Sequence, residues 1–139
     1  DDYLDAMDIW HKHKLQLVCA NPDRQVQFGD RVIYCAGAVA EIYEQNGGDV
    51  VWLGKPYQPV YERACAQLNA MLDARPRILA IGDGPKTDIL GAEAAGIDAL
   101  FISGGLASAA QNLDTADQIA AVLQAENTRA LAAMHHLVW

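Results

Sequence analysis

The sequence predicts an α/β fold built on a mostly parallel sheet. Short apolar runs alternate with segments of helical periodicity, which is the pattern of strands joined by crossover helices. The runs stop at proline or glycine, and the loops that follow them are polar. Of the 139 residues, 52% are apolar and 20% charged, a balance that supports a folded core instead of a disordered chain. That length suits one domain with a real core and is short for two complete ones.

Residues 1–13, "DDYLDAMDIWHKH", place Leu4, Met7 and Trp10 or His11 at helical spacing. Acids crowd its front and His11, Lys12, His13 and Lys14 its back, which suits the helix dipole. An apolar strand over 15–20 ends at Asn21-Pro22-Asp23, because proline donates no ladder hydrogen bond and restrains its predecessor. "YCAGAVAEIYEQNGG" reads as a helix with small residues on one face, closed by Gly47-Gly48. Residues 50–53 form a second short strand ending at Gly54-Lys55-Pro56. A helix over 59–72 follows, with Val60, Ala64, Leu68 and Leu72 in one stripe. Strands are expected at 77–81 and 98–102, and helices at 87–95, 115–126 and 128–136.

The net charge of −8, with only ten scattered Lys and Arg, argues against a nucleic-acid surface. No apolar run approaches the roughly 20 residues of a membrane span. Cys19, Cys35 and Cys65 lack Cys-x-x-Cys spacing and sit in apolar contexts, so reduced thiols in a cytoplasmic protein are expected.

Ligands of parallel α/β sheets bind beyond the carboxyl ends of the strands. That rule singles out Asn21, Asp23, Lys55 and Asp83. Asp83 closes a buried strand between Gly82 and Gly84, where a desolvated carboxylate requires a cation or hydrogen bonds. A hard oxygen ligand in a roomy loop suits Mg²⁺; the alternative is a carboxylate that only accepts backbone hydrogen bonds, with Asp88 capping a helix. Lys55, at a helix N-terminus, opposes the helix dipole, which binding of an anion explains. The alternative is an exposed turn lysine.

"GKPYQPVY" followed by "LAIGDGPKTDILGAEAAGIDALFISGG" resembles motifs III and IV of the haloacid dehalogenase superfamily of phosphohydrolases. "CANPD" with "GDRVIYCAGAVAEIYEQNGGDVVWLGKP" is similar to its subclass IIA, the NagD-like phosphatases with a C2-type cap. The resemblance implies a partial Rossmann-like sheet over 51–139, the C-terminal half of the core domain. It also implies that 1–50 form the C-terminal part of the cap. Asp83 then matches the acid that coordinates Mg²⁺, and Asp88 the second acid, which supports the metal shell. Lys55 matches the lysine that neutralises the nucleophile and the transferring phosphoryl group. Asn21 and Asp23 match a cap turn near the mouth of the active site, with a role in binding a small phosphorylated substrate.

That superfamily attacks phosphorus with the first aspartate of an Asp-x-Asp motif, and no such motif follows an apolar strand here. Asp1-Asp2 and Asp5-x-x-Asp8 lie in a helical pattern, and Asp98 opens a strand. The chain is therefore expected to be the C-terminal portion of a longer phosphatase and to hydrolyse no ester by itself. The exposed edge of the 77–81 strand is expected to promote self-association. A non-catalytic α/β binding or interaction module is the competing expectation. His11 and His13 face different sides of a helix and make no metal pair; Trp10, Trp52 and Trp139 read as core or interface aromatics. The stretch "SGGLASAAQN" lacks the glycine spacing of a dinucleotide site.

Overall fold

The computed structural model of the protein describes residues 3–72, 76–105 and 113–138. The chain divides into two units, residues 1–54 and 55–139. β4 (Asp49–Trp52) pairs in parallel with β1 (Gln16–Cys19), in the register Gln16 to Asp49 through Cys19 to Trp52, and so belongs to the first unit.

The first unit opens with α1 (Leu4–Lys12) and carries α2 (Ala36–Gln45) between its strands. Tyr43 of α2 is 1% exposed and donates its hydroxyl to the Leu15 carbonyl at 2.7 Å. The rings of Trp10 and His11 lie 5.7 and 4.6 Å from it, which joins α1 to α2 through one aromatic cluster. Trp52 donates its indole N–H to Glu44 at 3.0 Å. Between β1 and α2 stands an antiparallel hairpin, β2 (Gln25–Phe28) and β3 (Arg31–Tyr34), where no element was expected. Its two-residue turn, Gly29-Asp30, places glycine at φ 59°, the hairpin turn chemistry that the sequence displays. β3 also takes Tyr34 from the start of the expected helix.

The second unit contains α3 (Gln58–Met71), β5 (Leu79–Gly82), a π turn (Pro85–Ile89), α4 (Leu90–Ala94), β6 (Asp98–Ile102), α5 (Ala116–Ala125) and β7 (Ala132–Met134). Its sheet runs β5-β6-β7, all parallel, in agreement with the expected class. One face of the sheet packs on α4 and α5 through Ala99, Phe101, Ile89, Ala92, Leu113 and Leu123. The other face presents Leu79 and Ile81, 46% and 48% exposed, in register with Asp98 and Leu100.

Two expectations fail here. Residues 128–136 form no helix. α5 ends where Asn127 takes φ 52°, with Asn127 N–H on Gln124 O (3.0 Å) and Thr128 N–H on Leu123 O (2.9 Å). That double bond closes the helix and releases the chain to pair with β6 as β7. The stripe expected on α3 is also displaced. Val60 and Leu72 are 39% and 50% exposed, whereas Tyr61, Cys65 and Leu68 are half-buried. Tyr61 sets this rotation, since its ring lies where a Cβ of Gly91 would stand. All three cysteines are free thiols, as expected. Among the described residues, no helix is long and apolar enough to cross a membrane. Asp1, Asp2, Trp139 and residues 106–112 of the stretch after β6 lie outside the described residues.

Phe101 is fully buried at the centre of the second unit's core. Phe101→Ala is expected to lower the unfolding free energy by about 3–5 kcal/mol. Denaturant titration measures it, and a loss below about 1 kcal/mol would place the core elsewhere.

Candidate active site

The carboxyl end of β5 leads into Asp83 and Gly84, and the chain then coils into the π turn around a single acceptor. The Gly84 carbonyl accepts from the N–H groups of Thr87 (3.2 Å), Asp88 (2.8 Å) and Ile89 (3.1 Å). This wide turn returns the Asp88 side chain to the strand end from which the chain departed. Asp88 Oδ2 accepts from the backbone N–H of Asp83 at 3.2 Å and of Gly84 at 3.0 Å. Asp88 Oδ1 accepts from Lys55 Nζ in an ion pair. One carboxylate therefore holds the loop with one oxygen and the ammonium with the other.

Two glycines make room for this arrangement. A Cβ at Gly82 would collide with the Asp88 carboxylate, and a Cβ at Gly105, after β6, would collide with the Asp83 side chain. Lys55, Asp83 and Asp88 thus converge in the second unit. Lys55 reaches solvent, at 55% side-chain exposure, while Asp88 is 12% exposed. The Lys55–Pro56 peptide bond is cis.

Tyr61 of α3 was not anticipated at this site. Its hydroxyl lies within hydrogen-bonding distance of the carbonyls of Thr87 (3.2 Å) and Asp88 (3.3 Å). Burial, then the Asp88 charge, push the phenol above the usual tyrosine value of 10.0, with Lys55 opposing. The signal available in the sequence was an aromatic residue with a polar tip in a helix shortly after the lysine.

Asn21 and Asp23 belong to the first unit. Asn21 Oδ1 accepts from the Asp23 N–H at 3.2 Å, an Asx turn that follows β1, and both residues are exposed or nearly so. The turn is tied down locally: Cys19 Sγ donates to Asn21 O at 3.3 Å, and Gly37 N–H donates to Asp23 O at 3.1 Å. Close approach of Pro22 to Gly37 and Gly54 holds it further.

The donor chemistry at the β5 end is compatible with Mg²⁺. Among the described residues, no group of three or more His, Cys, Asp or Glu is arranged to hold a metal. Mg²⁺ keeps several waters and takes only one or two protein carboxylates, so Asp83 with Asp88 behind it suffices. Both oxygens of Asp88 are engaged, which suits a supporting position better than direct coordination. An open cleft of about 700 Å³, lined by residues such as Glu93, Gln124 and Arg129, includes none of these groups.

A model of the HAD-hydrolase-like family matches residues 52–127. Among solved structures, the chain is similar to a haloacid dehalogenase-like family hydrolase from Brucella suis 1330. That match has 36% identity and a TM-score of 0.72, over 99% of this chain and 49% of that one. It is also similar to a p-nitrophenyl phosphatase from Archaeoglobus fulgidus (18% identity, TM-score 0.68, 93% and 46% of the two chains). A third is a glycerol phosphate phosphatase from Mycobacterium tuberculosis in complex with magnesium (24% identity, TM-score 0.67, 96% and 36%). The chain spans about half the length, or less, of these structures. A comparison with curated proteins returned no match.

Cys19, which anchors the Asn21 turn, has its thiol pushed above the ordinary value of 9.0 by burial, against the lowering effect of its bond to Asn21. A folded value above the unfolded one means that this contribution to stability is complete below pH 9.0 and is lost as pH rises through the folded value. The same burial makes the thiol slow to react. A thiol reagent at mildly alkaline pH is expected to modify half-buried Cys35 and Cys65 before Cys19, read by mass spectrometry of peptides. Modification of Cys19 first would show that the turn opens readily.

Proposed function

The chain belongs to the HAD-like hydrolases, and on that footing we propose that it is the C-terminal part of a Mg²⁺-dependent phosphatase acting on a small phosphorylated metabolite. The observation that carries this reading is the convergence of Lys55, Asp83 and Asp88 at the carboxyl end of β5. An ammonium and two carboxylates gathered on a sharp loop form a polar site that stability alone would not select. The same fold carries a p-nitrophenyl phosphatase and, with magnesium, a glycerol phosphate phosphatase.

In this reading, Asp83 holds Mg²⁺ and Asp88 supports it by fixing the loop. Mg²⁺, when bound, neutralises charge on the phosphoryl oxygens. Lys55 adds a positive charge beside the transferring group, and its pairing with Asp88 fixes where that charge stands. Placed charge of this kind supplies much of the catalysis of phosphoryl transfer. Asn21 and Asp23 contribute to substrate recognition from the first unit, which we assign to the C2-type cap, with residues 55–139 as the core half. The nucleophile lies outside the 139 residues, because they contain no Asp-x-Asp after an apolar strand. The isolated chain then hydrolyses no ester. That missing motif equally favours a non-catalytic module, which turnover by the full-length protein would exclude.

In the full-length protein, with p-nitrophenyl phosphate and Mg²⁺, Asp83→Asn and Lys55→Met are each expected to lower kcat on the order of 100-fold. Asp83→Asn should change stability little, whereas Lys55→Met leaves the 12%-exposed Asp88 carboxylate to its amide hydrogen bonds and costs about 1–2 kcal/mol, below the barrier change asked of the lysine. Normal turnover in either variant would remove that residue from the mechanism.

The isolated chain is further proposed to self-associate with a second copy along the outer edge of β5. Leu79 and Ile81 are exposed on the sheet face beside that edge, and strands of parallel sheets are ordinarily covered on both faces. Sedimentation at increasing concentration should reveal dimers or larger species, and a monomer at all concentrations would contradict it.

A further inference from the structure

We infer that Tyr61 is a positioning residue that acts through Asp88. The inference rests on the phosphatase reading for its catalytic consequence, but the geometry stands on its own. α3 and the π turn are distant in sequence, and a phenol joins them: the Tyr61 hydroxyl lies 3.2 Å from Thr87 O and 3.3 Å from Asp88 O. Both carbonyls belong to the turn that coils around Gly84 O, and Asp88 is the residue whose side chain returns to the strand end.

The contact is held from the other side as well. The Tyr61 ring and hydroxyl occupy the space that a Cβ at Gly91 would need, so the phenol is seated against the start of α4. α4 continues directly from the π turn, and its buried residues, Gly91 and Ala92, lie beside that seat. A turn of this width is a rare conformation, and such insertions occur frequently at functional sites. Here its orientation decides where both Asp88 oxygens point. A tilt of the turn would shift Oδ2 from the N–H groups of Asp83 and Gly84, and Oδ1 from Lys55. Tyr61 touches neither the ammonium nor the two amides directly among these bonds. It sets the turn that serves them, and it does so from the helix that follows Lys55.

Tyr61→Phe tests this in the full-length protein, because it removes the hydroxyl and keeps the ring against Gly91. Amide hydrogen exchange is the first readout. Protection of the Asp83 and Gly84 amides should fall about tenfold, while amides of β6 at the centre of the same sheet keep theirs. Steady-state kinetics with p-nitrophenyl phosphate is the second. kcat should fall about tenfold with KM changed by less than about twofold, as expected when groups acting in the transition state are misplaced. Uniform loss of protection across the second unit would make Tyr61 merely structural and overturn the inference, as would unchanged protection at Asp83 and Gly84. A wild-type protein that hydrolyses no phosphate ester would overturn the phosphatase reading instead. The exchange data would then still decide whether Tyr61 positions the Asp88 turn.

Discussion

The two oxygens of Asp88 hold the second unit's polar site together. Oδ2 accepts from the amides of Asp83 and Gly84 at the end of β5, and Oδ1 binds the ammonium of Lys55. A carboxylate only 12% exposed is tolerable because it accepts hydrogen bonds and faces a cation at the same time. Remove either partner and the remaining one must hold a partly desolvated charge alone. Gly82, the π turn and Tyr61 can all be understood as conditions for that one placement.

The fold prepares the placement by repeating one device. α1, α2, α4 and α5 each end with a left-handed residue, at Lys14, Gly47, Gly96 and Asn127. At each, the N–H of the residue that follows reaches back to a carbonyl of the last turn, as Gly48 does to Tyr43 and Ile97 to Ala92. The helix is thereby closed at each of these places and the chain enters a strand soon afterwards, at β1, β4, β6 and β7. In the second unit this brings the carboxyl ends of the parallel strands together, and Gly105 after β6 then meets Asp83 after β5.

Where the sequence misleads, non-local pairing is the cause. Residues 128–136 have apolar spacing that a helix could use, yet β6 had a free edge and Ala132–Met134 filled it. Helical periodicity on α3 offers a stripe through Val60 and Leu72, but Tyr61 finds Gly91 and two carbonyls, and the helix turns to suit it. The hairpin β2–β3 is legible through Gly29-Asp30, since a two-residue turn between alternating residues is a local signal.

By itself, the sequence determined the parallel α/β class, the places where strands stop, and the identity of Lys55 and Asp83 as residues just past those stops. Each follows from short-range chemistry: proline and glycine limit the backbone within a residue or two, and apolar periodicity is read within one element. Only the tertiary structure decided that β4 joins β1, that a strand instead of a helix follows α5, and which face α3 turns inward. It alone decided that Lys55 pairs with Asp88, 33 positions along the chain, and that Tyr61 holds the turn between them. Those choices depend on edges, cavities and partners that exist only once distant segments have met, and no local pattern encodes them.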